Sequence, residues 1–342
     1  MSESPASMQG EASMKVLLTG ASGFVGGHIL ERLLADGIPT AVLLRPSSPH
    51  PLPASTLGRI EVIHGSLEDQ ASLCRALDGI THVIHGAGLT RARHNAEFFQ
   101  VNHLGTKRLV ESVNGRGQQI QRFLHLSSLA ACGPGSSSNP ARESSPPHPV
   151  SVYGRSKLAG EQEVVLGCHV PFTVLRPPGV YGPRDAEFLK LFRAVRLHLR
   201  PEFGGGSQEL SLVFAPDLAT VVVRCLTQAA AANRVYHVAS SEVVTAAQLA
   251  RCIAEAMNVW TVPLPLPTAL LWPVCLARQY ASCLGASASV LSLQKYPELA
   301  APGWVCDVTR LQDDLGLSCP TRLREGIAAT LDSYRRTGWL RG

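Results

Sequence analysis

Residues 15–27 read Lys-Val-Leu-Leu-Thr-Gly-Ala-Ser-Gly-Phe-Val-Gly-Gly, and they restrict the fold of this chain more than any other stretch. A short apolar run ends on Gly20, Gly23 and Gly26 and passes straight into a helix-like segment that continues to Ala35. Each glycine has a physical job in a strand-to-helix turn. Gly20 permits the tight turn, Gly23 lets the backbone approach a pyrophosphate, and Gly26 lets the helix pack close to a sheet. The first-turn N–H groups of such a helix point at the anion. The spacing is GxxGxxG rather than GxGxxG, so it is the strand–turn–helix setting that gives the triplet its weight.

The following residues repeat the same alternation. Strand-like runs occur at Lys15–Thr19, Thr40–Leu44, Ile60–His64, His82–His85, Arg122–Leu126 and Phe172–Leu175, with helix-like segments between them. Gly23–Ala35, Asn95–Val113 and Val152–Leu166 are the clearest helices. This βαβ alternation predicts an α/β fold of Rossmann type, a doubly wound parallel sheet over residues 14–176. Residues 133–149 are rich in Pro and Ser and predict an extended loop. Beyond Pro177 proline-rich connections separate shorter elements. Among these are a strand at Arg234–Val238 and a helix at Thr245–Ala256 with Thr245 as its cap. Residues 177–342 are therefore expected to form a smaller C-terminal α/β substrate lobe, partly interleaved with the first domain. Residues 1–13 are polar and read as a disordered leader.

Composition removes several classes of function. The net charge is +5 with no long basic run, which argues against a nucleic-acid partner. Nine cysteines lie between Cys74 and Cys319 without a CxxC pair, the pattern of reduced thiols rather than of disulfides or a metal site. The longest apolar stretch, Val259–Ala277, is broken by four prolines and falls short of the roughly 20 apolar residues of a spanning helix. No integral membrane segment and a cytoplasmic location are expected, and a homodimer is left open.

Two further patterns carry chemistry. In Val152–Leu166, Tyr153 and Lys157 are four residues apart and share one helix face. A phenol of pKa about 10 exchanges protons poorly near neutrality, and a neighbouring ammonium together with a positive nicotinamide ring is expected to lower it. Ser127 and Ser128 follow the fifth strand, where the carboxyl ends of parallel strands meet ligand, and one of them can hold a substrate carbonyl oxygen. Arg45 stands at the end of the second strand, where NAD enzymes place a carboxylate for the ribose hydroxyls. A guanidinium there suits a 2′-phosphate, so NADP is expected ahead of NAD.

With these features in order, the chain from Met14 to Leu340 resembles the extended short-chain dehydrogenase/reductases of the epimerase/dehydratase superfamily. The stretches HGAGLT (85–90), VNHLGT (101–106) and LRPPGVYGP (175–183) match as well. The resemblance implies that Gly20, Ala21, Ser22, Gly23, Phe24, Val25 and Gly26 hold the pyrophosphate. Gly86, Ala87 and Gly88 would line the adenosine and ribose side, and the backbone of Pro177, Gly179 and Val180 would meet the carboxamide. It assigns catalysis to Ser128, Tyr153 and Lys157, with Asn102 as a structural or proton-relay residue. Tyr153 and Lys157 would also touch the cofactor. Substrate would meet Thr90, Ser128, Ala130, Tyr153 and Tyr181. The family's adenine-contacting aspartate is replaced by Ser66 in GSLED (65–69), which leaves a backbone contact from Leu67.

Within the family the chain looks most like the 3β-hydroxysteroid dehydrogenase and dihydroflavonol reductase branch. Nucleotide-sugar enzymes usually carry an asparagine where this chain has Gly179, and a lobe with polar contacts for a diphosphate. Here Leu266–Leu284 is apolar and suits either a hydrophobic substrate or packing of the lobe. The expected activity is hydride transfer between NADP or NAD and a ketone or secondary alcohol of a steroid-, flavonoid- or polyketide-like molecule. Two alternatives remain open at this point: a nucleotide-sugar 4-epimerase or dehydratase with recycled NAD, and a non-catalytic cofactor-binding sensor.

Overall fold

The computed structural model describes residues 14–46, 48, 52–270, 272–277 and 296–340. The proposed leader, Ser47 and residues 278–284 of the apolar stretch lie outside them. Six strands come from the first half of the chain: β1 (Val16–Thr19), β2 (Thr40–Leu44), β3 (Glu61–His64), β4 (His82–His85), β5 (Arg122–Leu126) and β6 (Phe172–Arg176). The second half contributes β7 (Gly179–Tyr181), β8 (Leu199–Phe203), β9 (Glu209–Phe214), β10 (Arg234–His237), β11 (Val243–Thr245), β12 (Val262–Leu266) and β13 (Gly303–Trp304).

The main sheet is parallel and runs β3-β2-β1-β4-β5-β6-β10. The strand order reverses between β1 and β4, which places the ligand crevice of a doubly wound sheet at their carboxyl ends. Burial on both faces explains the near-continuous apolar strands. On β1, Val16 and Leu18 join a core shared with Ile29, Leu33, Val222 and Leu226, while Leu17 joins Leu109, Val113 and Val164 on the opposite face. The first face is covered by the helices Phe24–Ala35 and Ala215–Thr227, the second by Thr106–Asn114 and Val152–Gly167.

The chain returns to the main sheet after leaving it: β10 pairs with β6. β7 and β9, which precede β10, join β11 and β13, which follow it, in a four-stranded sheet, and β8 pairs with β12 as a separate ribbon. Leu189, Phe192, Leu212, Ile253, Ile327 and Tyr334 form the core of this smaller lobe. None of the helices among the described residues is long and apolar enough to cross a membrane.

One expected helix is built differently. Asn95–Val113 is not uniform: α-helix at Asn95–Phe98 widens to a π-helix at Phe99–Gly105 and returns to α-helix at Thr106–Asn114. The hydroxyl of Thr106 donates to the Asn102 carbonyl at 2.8 Å, serving a backbone acceptor inside the widened turn. Such insertions concentrate at functional sites, and this one presents Asn102 to the helix Val152–Gly167.

The sheet also buries His82, His85, His125 and His237. Burial holds all four neutral, moving His82 and His237 to about 4, His85 to about 3 and His125 well below the usual range. The unfolded chain therefore binds more protons below about pH 6.5, and stability falls as pH drops. Asp185, pushed up to about 6 by burial, and Glu143, also raised, act in the opposite sense and offset part of the loss. A net loss on the order of 5 kcal/mol between pH 7 and pH 5 is expected. Urea unfolding at the two pH values measures it, and equal midpoints and slopes would refute it.

Candidate active site

The glycine turn is built at backbone contact. Gly20 has φ of +80°, and a Cβ there would lie 2.7 Å from the Ala87 nitrogen and from Gly86. A Cβ on Gly26 would lie 2.0 Å from the Gly20 carbonyl oxygen. The helix Phe24–Ala35 starts at Gly23 with no side chain capping it, which leaves its first-turn N–H groups for an anion. Ala21 is buried under the turn, and Val25 packs on the sheet core. Ser48 donates to the Ser22 hydroxyl at 3.1 Å and ties the residues after β2 to the turn. Arg45 is exposed one residue beyond β2. On the other side, Gly86 N–H donates to the Thr19 carbonyl and Ala87 N–H to the Thr19 hydroxyl, both at 3.2 Å. Leu67 packs against Gly105, while Ser66 is engaged in its own turn with Glu68 and Ser72. This uncapped, backbone-lined cradle fits the pyrophosphate of a dinucleotide.

The candidate catalytic residues converge at the carboxyl end of β5. Ser128 has extended backbone and caps the short helix Leu129–Cys132, its hydroxyl accepting from Ala130 N–H at 3.2 Å. The same hydroxyl hydrogen-bonds the Tyr153 phenol. Ser127 is instead buried in the sheet, its hydroxyl without a hydrogen-bond partner among the described residues. Tyr153 stands in the first turn of the helix Val152–Gly167, capped by Ser151, whose hydroxyl accepts from Gly154 N–H at 2.9 Å. The ring of Phe98 meets Tyr153 edge-on at 6.0 Å. One turn further, the Lys157 ammonium is buried and donates to the Leu126 carbonyl at 2.6 Å. A Cβ on Gly88 would lie 3.1 Å from Asn102 Oδ1 and 3.7 Å from Lys157 Nζ, so the loop after β4 closes on both.

The electrostatics correct one expectation. Burial pushes the Tyr153 phenol up to about 12, with Ser128 opposing the rise and Glu298 adding to it. Desolvation sets this direction for the protein alone, against the lowering expected with an ammonium and a nicotinamide ring beside the phenol. Burial lowers Lys157 to about 8, partly offset by Glu161. Glu161 itself forms a buried ion pair with Arg176, Nε to Oε2 at 3.0 Å, which joins the catalytic helix to β6.

Other expected residues divide. Asn102 does not present a free amide to the reacting atoms. Its Oδ1 accepts from Leu89 N–H at 2.7 Å, and its Nδ2 donates to the Leu89 carbonyl at 3.0 Å and to the Ser156 hydroxyl at 2.9 Å. It braces the loop after β4 against the helix Val152–Gly167. Tyr181 is not a substrate contact. It is 2% exposed, its ring packed between Phe188 and Phe214 in the small-lobe core. Ala130 stays beside Ser128, and the Pro177 carbonyl accepts from Leu129 N–H at 2.8 Å, keeping that loop next to the serine. Gly179 and Val180 lie on β7, and Thr90 is exposed beyond Leu89. Leu270 and Trp272, expected in a pocket or in packing, are 48% and 49% exposed.

Sequence reasoning missed Glu298, which reaches back from the segment Tyr296–Ala300 to accept from the Ser151 hydroxyl. Nothing in its local pattern distinguishes it. It also missed Gly154 and Gly160, where a Cβ would lie 2.3 Å from the Ala130 oxygen and 2.0 Å from the Asn102 oxygen. Two glycines on an otherwise good helix are a signal of close packing.

The profile of the NAD dependent epimerase/dehydratase family matches residues 16–239. The chain is 31% identical over 335 residues to ceramide reductase of Caulobacter vibrioides, covering 97% of this chain and 98% of that protein. It is 26% identical to UDP-glucose 4-epimerase of Vibrio cholerae, covering 93% and 95%. The crystal structure of Thermotoga maritima UDP-glucose 4-epimerase superposes with a TM-score of 0.77 over 95% of this chain and 99% of that one, at 22% identity, a likeness of fold. With its glycine cradle, parallel sheet and serine–tyrosine–lysine cluster, the chain belongs to the NAD-dependent epimerase/dehydratase family, the extended short-chain dehydrogenase/reductases.

Proposed function

We propose that this protein is an NADPH-dependent carbonyl reductase acting on a ketone of a hydrophobic, lipid-like molecule. The observation that carries the reading is the convergence of Tyr153, hydrogen-bonded to Ser128, with a buried Lys157 one helical turn away. With its pyrophosphate held by the glycine cradle, NADPH would supply the hydride from its nicotinamide. Ser128 orients the substrate carbonyl oxygen, and Tyr153, fully protonated at neutral pH, delivers a proton to that oxygen as negative charge develops. Lys157 holds the Leu126 carbonyl and faces the loop at Gly88, where a nicotinamide ribose would lie. Thr90, exposed in the loop after β4, and Ala130, in the short helix that Ser128 caps, are the substrate contacts this reading assigns.

Two observations favour reduction over sugar-nucleotide chemistry. A Cβ at Gly179 would lie 2.9 Å from Leu212, so this position offers no side chain to a sugar diphosphate. Over nearly the whole of both chains, the relative named a ceramide reductase is 31% identical, against 26% for the UDP-glucose 4-epimerase. Arg45 supports NADPH, since an exposed guanidinium at the end of β2 suits a 2′-phosphate.

Tyr153→Phe keeps the ring against Phe98 and removes the proton, so kcat should fall about 10²–10⁴-fold while NADPH still binds. The measurement is single-turnover oxidation of NADPH with ketone-bearing lipids, alongside cofactor fluorescence titration. Near-normal turnover would move the donor elsewhere, and cofactor reduction with no net consumption on UDP-hexoses would favour epimerisation.

Arg45→Asp should shift the NADPH-to-NADH preference by about tenfold or more, read by titrating both cofactors. A wild type that binds the two equally would sink this role.

Lys157 has a folded pKa below its unfolded value, so from about pH 8 to 10.5 only the unfolded chain keeps the proton. The contribution of Lys157 to stability should then rise with pH by roughly 3 kcal/mol across that window, against the buried thiols Cys225, Cys306 and Cys319, whose raised pKa values act in the opposite sense. The test is the difference between wild type and Lys157→Met in denaturant titrations at both ends, and parallel behaviour of the two proteins would refute it.

A further inference from the structure

The large apolar side chains left exposed are not scattered. Of thirteen among the described residues, eight fall within residues 197–199 and 260–274. The β8–β12 ribbon organises them. The two strands pair in parallel with Val262 beside Leu199, and Leu264 follows two residues on along the same face. Leu199, Val262 and Leu264 are 45%, 54% and 42% exposed, so this face is turned outward. The opposite face carries Arg200 and Glu202, whose ion pair at 2.7 Å is largely covered. Trp260, 68% exposed, lies flat on His198 at the head of the ribbon, and Trp272 follows beyond its end.

The outer edge of β12 is closed to another strand. Val262 N–H points inward and donates to the His198 carbonyl at 2.9 Å. Pro263 and Pro265, the alternate residues, have no N–H to offer outward. A partner adding a strand to this edge is therefore disfavoured, and the exposed feature is a face.

Cations frame that face. The helix Phe188–Arg196 ends with exposed Arg193 and Arg196 directly before Leu197. Exposed Arg251 shares with Trp260 the rim of a shallow hollow of about 350 Å³. Glu255, the acidic group on the same rim, is held by Arg324 at 2.9 Å. Tryptophans and aliphatic residues with arginines on the adjoining helices match the chemistry of an anionic lipid interface. We infer that the β8–β12 face docks peripherally on a membrane leaflet containing anionic phospholipid. Its apolar side chains enter the acyl boundary, and Arg193, Arg196 and Arg251 meet headgroup phosphates.

The inference stands apart from the reductase reading, because its test needs no substrate. The full chain is floated with phosphatidylcholine vesicles and with vesicles in which part of that lipid is replaced by phosphatidylglycerol. It should float with the anionic vesicles and lose binding as salt rises. Leu264→Asp and Trp260→Ser should each weaken binding about tenfold, and Arg193→Glu about fivefold or more. Unfolding midpoints and NADPH titration identify variants that have lost their fold. Trp260→Ser, at a side chain mostly in solvent, keeps the test usable if Leu264→Asp does not fold. Absence of wild-type flotation overturns the inference, as does equal flotation on pure phosphatidylcholine that Arg193→Glu leaves unchanged. A dimer broken by Leu264→Asp, without vesicle binding, assigns the face to a second copy of the chain and also overturns it.

Discussion

The seat of the helix Val152–Gly167 is the contact on which the rest of the site depends. Gly154 lies on the Ala130 carbonyl and Gly160 on the Asn102 carbonyl, each closer than any Cβ could tolerate. Backbone against backbone leaves the helix no freedom to slide, and side chains spaced by four residues then land at set places. Tyr153 meets Ser128, Lys157 meets the Leu126 carbonyl, and Glu161 meets Arg176. The Glu161–Arg176 pair is buried, so removing one partner would leave an uncompensated charge under the helix. The π-helical turn at Asn102 belongs to the same contact, since it brings the amide that clamps the loop after β4.

Burial gives this cluster its acid–base character. Desolvation opposes charge of either sign, which moves the phenol of Tyr153 up and the ammonium of Lys157 down. The proton is thereby kept on the group facing Ser128. Neutral His85 and His125 lie beneath, their rings 5.2 Å apart, and add no charge near Lys157. A site of this kind is suited to giving a proton to a newly formed alkoxide, since the donor is loaded at every pH near neutrality.

Much of the fold was readable in advance because its signals are local. Strand runs such as Thr40–Leu44 and Arg122–Leu126 coincide with observed strands, and the Thr245 cap opens Ala246–Met257 as expected. Tyr153 and Lys157 needed only the helical period to be placed together. Glu298 was invisible because its partner, Ser151, is 147 residues away and nothing near it in the chain records the meeting. Tyr181 was misread for the converse reason. The motif puts it next to the cofactor loop, but Phe188, Phe214 and the close approach of Gly326 enclose its ring in the small-lobe core.

The amino-acid order alone determined the alternation of strands and helices, the uncapped glycine turn and the pairing of tyrosine with lysine on one helix face. Each of these follows from φ/ψ preference and side-chain period within a few residues. Tertiary structure alone decided which of two adjacent serines meets the phenol and that burial raises rather than lowers its pKa. It also decided that Asn102 braces the loop and that Leu264, Leu270 and Trp272 face outward. Those outcomes depend on which distant segments exclude water from a given atom, and that is set by packing between parts of the chain that carry no mark of one another in sequence.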